Sequence, residues 1–502
     1  MYSFATKIVF SYYFPHFCVK NSMMRGIQSI LFLVLITASL LWACQPERSY
    51  IEEGEARLEF TLDTLFFDTV FTTVGTVTRS FRVKNPFKRF IRIDEISLAG
   101  GAFSEFRINV DGASGLRFSD LEIAPLDSMY VFVEATLDPN GSNDVLRVQD
   151  SIVFEIGGKV QDIDLVAWGQ DVHMIGGEVI DQATTWPADK PYLVIDYLYV
   201  DSSASLTIDP GVKVYLHKDA LFVVDGSLQV NGSLEEPVWF GGDRLEEFYD
   251  RIPGQWGLIY LTGSSHNNRI THAEIHNGTI GVLISATPES GLKPDLEISN
   301  TVINRMSSSG LYALNAAISG SNLVVGDCGG SSVALNYGGD YRFTHCTFAN
   351  FWPSGFSHRT LPALLLTDYF GTYDEDGNLL LYTGGEFENA SFLNSIIYGS
   401  HATELLIESY EGLQLNYRID YCLTSIHKDS LRYLNDPLIT NLINNDNPLF
   451  DSIPVFYDLD SLSPAIDAGL PAHASGFPLD LKGNSRLDDA GPDLGALERI
   501  GS

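Results

Sequence analysis

The chain has 502 residues and a mass of 55.4 kDa, too long for one ordinary domain, so two or three folding units are expected. Hydrophobic residues make up 45% and charged residues 19%, which excludes an intrinsically disordered chain. Against 31 basic residues stand 64 acidic ones, for a net charge of -33. Such a surface repels phosphate backbones and excludes nucleic acid as a partner.

An apolar run, Ile30 to Ala43, follows Arg25 and ends at Cys44. It is too short to span a bilayer comfortably and has the length of a signal-peptide core. Leu41-Trp42-Ala43-Cys44 resembles a bacterial lipobox, in which the leader is cut before the cysteine and the thiol is lipidated. The alternative is an ordinary signal peptide with an incidental Cys44. Residues 1–43 are therefore expected to be a leader, its true start at Met1, Met23 or Met24, and residues 44–56 a tether. Removing 1–43 takes Lys7, Lys20 and Arg25 and no acid, leaving 28 basic and 64 acidic residues, a net of -36. The expected location is the cell envelope, as an outer-membrane or cell-surface lipoprotein held to the membrane at Cys44. Cys328, Cys346 and Cys422 remain, without CxxC or zinc-finger spacing. A Cys328–Cys346 disulfide and buried free thiols are both open readings.

From Arg57 to about Ala167 the chain alternates with period two, as in Phe81-Arg82-Val83-Lys84 and Ile91-Arg92-Ile93-Asp94. Alternation puts one face of a strand in a core and the other in water. Turn signals such as Asp111-Gly112 and Asp138-Pro139-Asn140-Gly141 separate the runs. About seven strands in an antiparallel sandwich are expected over 57–175. The stretches SFRVKNPFKRFIRIDEISL and LEIAPLDSMYVFVEATLDP resemble Ig-like modules of the ASH/HYDIN kind, which implies a spacer or adhesion unit. Gly176-Gly177 marks the expected boundary.

Beyond it the pattern changes to short β runs ending at Gly, Asn or Asp. Apolar pairs five residues apart recur as Ile270/Ile275, Ile298/Ile303, Ile318/Leu323, Phe343/Phe348 and Phe392/Ile397. Their steps of 28, 20, 25 and 49 residues fit coils of a parallel β-solenoid over 176–430, the last step being read as two coils. Stacked coils bury one inner face, and Ile275, Ile303, Leu323, Phe348 and Ile397 are expected in one inward column. These repeats, with LTIDPGVKVYLHKDALFVVDGSLQVNGSLEEPVWF and PGQWGLIYL, resemble the right-handed parallel β-helix of the pectin-lyase-like superfamily. SPAIDAG and GPDLGALE resemble the closing segment of secreted bacterial β-helix proteins, which implies a cap over 431–502. The expected fold class is all-β, a sandwich followed by a capped solenoid.

Enzymes of the resembled superfamily work as lyases, through Lys or Arg, or as hydrolases, through paired carboxylates. Arg269, Arg305 and Arg342 are the basic residues on the repeats, and His272 and His345 share a repeat column about 15 Å apart at one strand spacing per coil. Arg269, Arg305 and Asp368 are the catalytic candidates, each equally readable as a solvated corner residue. Asp374-Glu375-Asp376-Gly377-Asn378 has part of an EF-hand pattern but Gly385 stands where the bidentate Glu belongs, and a hairpin turn explains it as well. Asp374 and Asp376 are thus the metal candidates, and Ca²⁺ the one ion considered. Aromatics near this loop make Trp352, Tyr369 and Tyr373 the candidates for a glycan platform, or else packing beneath an insertion. The reading reached is a non-catalytic surface protein that binds an extracellular glycan or protein. The alternatives are a polysaccharide lyase or glycoside hydrolase, and a structural or adhesive stalk.

Overall fold

The computed structural model describes residues 48–500 apart from 53, 73–74, 140–144, 287–290, 354, 374–378, 411, 413 and 452–455. The protein is all-β. Ten strands between Glu59 and Gln170 form two five-stranded sheets. One runs in the order Glu59–Phe60, Arg79–Lys84, Ser128–Ala135, Phe106–Val110, Ala113–Gly115. The other runs Thr64–Phe71, Lys159–Gln170, Leu146–Ile156, Ile91–Leu98, Arg117–Ile123. Neighbours are antiparallel except Thr64–Phe71, which pairs in parallel with Lys159–Gln170. The alternating apolar residues meet between the sheets, Phe81, Val83, Phe106, Ile108 and Val131 from one against Phe67, Ile93, Ile96, Phe154 and Leu165 from the other. Two of the ten, Glu59–Phe60 and Ala113–Gly115, are short edge strands without a readable alternation, which leaves eight against the expected number of about seven.

A 24-stranded sheet begins at His173–Ile180 and continues to Ile443–Asn444. The boundary expected at Gly176-Gly177 falls inside this first strand, where the pair forms a bulge with Gly177 at φ +71°. From there each strand pairs in parallel with the strand one coil later, so the backbone of every coil is satisfied by its neighbours. Three strand ladders wind the chain into a three-sided solenoid. The first side carries Ser227–Asn231, Asn268–Thr271 and Asp295–Asn304 at its start. The second carries Lys213–Leu216, Val238–Gly242 and Ala273–His276. The third carries Leu221–Val224, Trp256–Leu261 and Gly278–Ser285.

Register corrects two expectations. On the second side Ile275, Ile303, Val325, Phe348 and Ile397 stack directly, with Val325 and not Leu323 in the column. On the first side the matching column is Ile270, Ile298, Gly320, Phe343 and Phe392. The third position is a glycine because the Phe343 ring takes its space: a Cβ on Gly320 would lie 2.5 Å from Phe343 Cδ1. With no apolar residue there, the apolar spacing fell on Ile318/Leu323, two residues early. Phe343 also pairs with Phe392, their rings stacked at 5.5 Å, so the 49-residue step is a single coil. Its extra length lies in the segment before Leu364–Thr367 and in the hairpin Phe370–Tyr373 with Leu379–Tyr382.

One corner of the solenoid repeats a left-handed residue in each coil: His272, Asn300, Asn322, His345, Asn394, Tyr421 and Asn441 have φ between +47° and +54°. Asn tolerates this region because its side chain bonds locally. These side chains are also where the C-terminal segment docks. Leu470 N donates to Asn394 Oδ1 at 2.9 Å, and Asn322 Nδ2 donates to Leu479 O at 2.9 Å. Residues Tyr457, Leu481, Ala496 and Leu497 then cover Val302, Val324 and Ala349 on the second side, and Leu459, Ala465 and Leu494 cover Ile396 and Leu423. From Tyr457 on, the segment therefore runs along a flank of the solenoid, while Tyr433 and Ile439, earlier in the expected cap, pack into the solenoid core. Arg486, fully buried, ties it down by donating to Glu498 Oε2, Asn322 Oδ1, Gly495 O and Ala496 O. Phe71 of the sandwich packs on Tyr215 of the second side, ring centroids 4.7 Å apart. Cys328, Cys346 and Cys422 are free and buried, and burial raises each thiol to about 12.

Candidate functional site

The three charged candidates lie on different parts of the solenoid. Arg269 is exposed on the first side, in an outward column with Gln229, Glu297, Ser319, Arg342, Ser391 and Arg418. Two of its charges are met within their own strands: Arg342 pairs with Asp340 at 2.8 Å and Arg418 with Asp420 at 2.5 Å. Burial works to raise the Asp420 carboxyl, but bonds from Thr440, Asn441, His473 and Arg418 outweigh it and bring it down to about 2. Asp420 thus anchors the docked segment at His473.

Arg305 sits at a corner between the second and third sides, half-buried, where Asn277, Arg305 and Asp327 hold φ of +65°, +58° and +49°. Its Nε donates to Asn277 Oδ1 at 3.0 Å. The Tyr457 hydroxyl donates to Asp327 Oδ1 at 2.8 Å and closes the corner from outside. Asp368 is buried at the end of the third side. Its Oδ2 accepts from Ser409 Oγ at 2.5 Å and its Oδ1 from Tyr410 N at 2.8 Å, so both oxygens serve to hold that turn. No two of Arg269, Arg305 and Asp368 face a common space. His272 and His345 do share a corner column, three coils apart, and burial lowers both, His345 to about 2.

The aromatic candidates separate too. Trp352 is buried, with its indole donating to Ser357 O at 3.0 Å and its ring against Phe356. Tyr369 is half-buried and donates to Glu408 Oε2 at 2.9 Å; burial and that carboxylate push its phenol up to about 12. Tyr373 ends the first strand of the hairpin, opposite Leu379. Asp374, Asp376 and Cys44 lie outside the described residues. Among the described residues no group of three or more His, Cys, Asp or Glu is placed to hold a metal ion, and no helix is long and apolar enough to cross a membrane.

The third side carries a feature that the charged motifs gave no hint of. Val223, Tyr260, Leu283, Tyr312, Ala334, Leu365 and Leu406 stand one above another on its outer surface. Tyr260, Leu283, Tyr312 and Leu406 are partly exposed. The stripe lengthens by one strand spacing, about 4.8 Å, with each coil. The Ser285 hydroxyl lies 3.2 Å from the Tyr260 hydroxyl and gives the stripe a polar margin. The signal was available: Tyr260, Leu283 and Tyr312 each sit between inward residues of a strand, where an ordinary solvent face would be polar.

No protein-family model matches the chain, and no curated protein matches it. Solved structures with weak likeness include the following three. A family 123 glycoside hydrolase from Clostridium perfringens is 10% identical over 25% of this chain, with a TM-score of 0.17; the chain spans 26% of that enzyme's length. A structure described as XylC in complex with xylose is 8% identical over 91% of this chain and 89% of its own, with a TM-score of 0.33. The catalytic unit of a GH87 α-1,3-glucanase from Streptomyces thermodiastaticus is 10% identical over 69% of this chain and 84% of its own, with a TM-score of 0.15. At these scores the likenesses assign neither a fold nor an activity.

Proposed function

We propose that this is an exported cell-envelope lipoprotein, held to the membrane at Cys44, that binds an extracellular glycan without cleaving it. On this reading the two-sheet sandwich is the Ig-like module and the solenoid the right-handed β-helix that their sequences resemble. The observation that carries the proposal is the third side of the solenoid. Its stripe of Tyr260, Leu283, Tyr312 and Leu406 offers apolar surface to the flat faces of sugar rings, with hydroxyl groups beside it. The charged candidates support binding over catalysis, because Arg305 and Asp368 are engaged in structural bonds and lie apart from Arg269. The net charge of -33 favours neutral glycans over polyuronates. The test is a glycan array probed with the full chain, with reducing-sugar and unsaturated-product detection run in parallel. Retention that falls in Tyr312→Ala, without product, is expected; product formation would move the protein to the lyase or hydrolase class.

A further inference from the structure

A groove lies away from the solenoid, on the outer face of the sandwich. It encloses about 720 Å³. Its lining comes from the paired strands Ser128–Ala135 and Phe106–Val110, with Ala102 and Ser114 to Leu116 beside them. Register places its side chains. Phe132 stands beside Asn109, and Glu134 beside Arg107, on adjacent antiparallel strands. All four point away from the core, since their neighbours Ile108, Val131, Val133 and Ala135 are buried between the sheets.

The chemistry of the groove is amphipathic in a particular way. Phe132 is 39% exposed and Tyr130, next along the same face, is 48% exposed. Their rings are stacked with centroids 5.9 Å apart and planes 21° apart, so they form one continuous apolar shelf. A soluble sheet spends stability to hold two large rings in water, and the Arg82 guanidinium over Tyr130 covers only the far end. Around the shelf stand the amide of Asn109, the hydroxyl of Ser114, the carboxylate of Glu134 and the guanidinium of Arg107. Asn109 Nδ2 donates to Ser114 Oγ at 3.0 Å, and Arg107 Nη1 donates to Ser104 O and Phe106 O, so the rim is ordered before any ligand arrives. Arg107 and Glu134 face each other across one strand pair. The groove therefore offers a flat apolar floor and a rim of hydrogen-bonding groups. An apolar peptide would leave the rim unsatisfied, and a polyanion would meet Glu134 on an acidic protein.

We propose that this groove is a binding site for a neutral oligosaccharide, whose ring faces lie on Phe132 and Tyr130 and whose hydroxyls bond to Asn109, Ser114, Glu134 and Arg107. It is a second site, separate from the solenoid stripe, and makes the sandwich a binding module rather than a spacer. The proposal rests on the glycan-binding reading for its biological sense but has its own residues and its own test.

The test is calorimetric titration of the full chain with cellohexaose, laminarihexaose and mannohexaose, with hexagalacturonate as the charged comparison. At least one neutral hexasaccharide should bind. Phe132→Ala should weaken it at least tenfold, Glu134→Gln severalfold, and Phe132→Trp should preserve it. Should Phe132→Ala lose the folded circular dichroism spectrum, Asn109→Ala replaces it, since Asn109 is a rim residue outside the core. The Phe132-dependent part of the binding should remain in Tyr312→Ala, whose own loss is confined to the solenoid site. Neutral binding that survives Phe132→Ala but vanishes in Tyr312→Ala would overturn this site and leave the solenoid reading standing. Binding of none of the neutral hexasaccharides, or tighter binding of hexagalacturonate, would also overturn it.

Discussion

Asn322 joins the repeated corner to the docked C-terminal segment, and replacing it by alanine tests both at once. The residue is 5% exposed and holds φ at +50°. Its Nδ2 donates to Asn300 Oδ1 and to Leu479 O, each at 2.9 Å, and its Oδ1 accepts from the buried Arg486 at 3.0 Å. Alanine keeps the left-handed backbone without any side-chain bond, at about 1 kcal/mol. Loss of a hydrogen bond to a charged group costs about 1.5–3 kcal/mol, and loss of a neutral one about 1 kcal/mol. Arg486 retains Glu498 and two carbonyls, so the charge is not stranded. With one charged bond, two neutral bonds and the backbone term lost, the total is about 4.5–6 kcal/mol. Urea denaturation followed by circular dichroism measures it, and limited proteolysis shows whether the segment after Asn445 is released first. Asn322→Gly should recover only the backbone part, about 1 kcal/mol. A loss below about 1 kcal/mol for Asn322→Ala, or no difference between the two variants, would refute the corner as a latch.

Gly320→Ala should destabilise by about 1–3 kcal/mol through overpacking on Phe343, and a neutral result in thermal melts would mean that the column register is wrong. His345 is buried and held neutral, its pKa lowered to about 2 by burial, so its folded value lies below its unfolded one. Its contribution is complete above the ordinary histidine pKa near 6.5 and is lost as pH falls below it, by about 2 kcal/mol at pH 5. His345→Asn, the residue at four other corners of the ladder, should remove that part of the slope in urea titrations at pH 7 and pH 5; an unchanged slope would count against it. Metabolic labelling with an alkyne fatty acid should tag the wild type and not Cys44→Ala, and equal labelling would end the anchor proposal.

How much of this was legible in the sequence depended on which faces a strand buries. Phe81-Arg82-Val83 and Ile91-Arg92-Ile93 have one core face, so period two placed them directly. The repeat was legible wherever the inward pair was apolar, as at Ile298/Ile303, and slipped by two residues at Gly320, where the core volume comes from the next coil. The 49-residue step misled because Leu364–Thr367 and Leu379–Tyr382 are equally apolar, yet only the first belongs to the coil. The docked segment had left a mark: Val302-Ile303, Val324-Val325 and Ile396-Ile397 are consecutive apolar residues, as expected of strands buried on both faces. The site was the least legible. Trp352 and Tyr369 were conspicuous by type, but one is buried and the other bonded to Glu408. Phe132 and Tyr130 read as ordinary strand residues until the register turned them outward together.

The most direct test of the account is one titration of the full chain against neutral hexasaccharides, with product formation followed in the same samples. Saturable binding with no new reducing ends, weakened by Phe132→Ala at the sandwich and by Tyr312→Ala at the solenoid, is the predicted result. Turnover, or no binding by any neutral glycan, would contradict it.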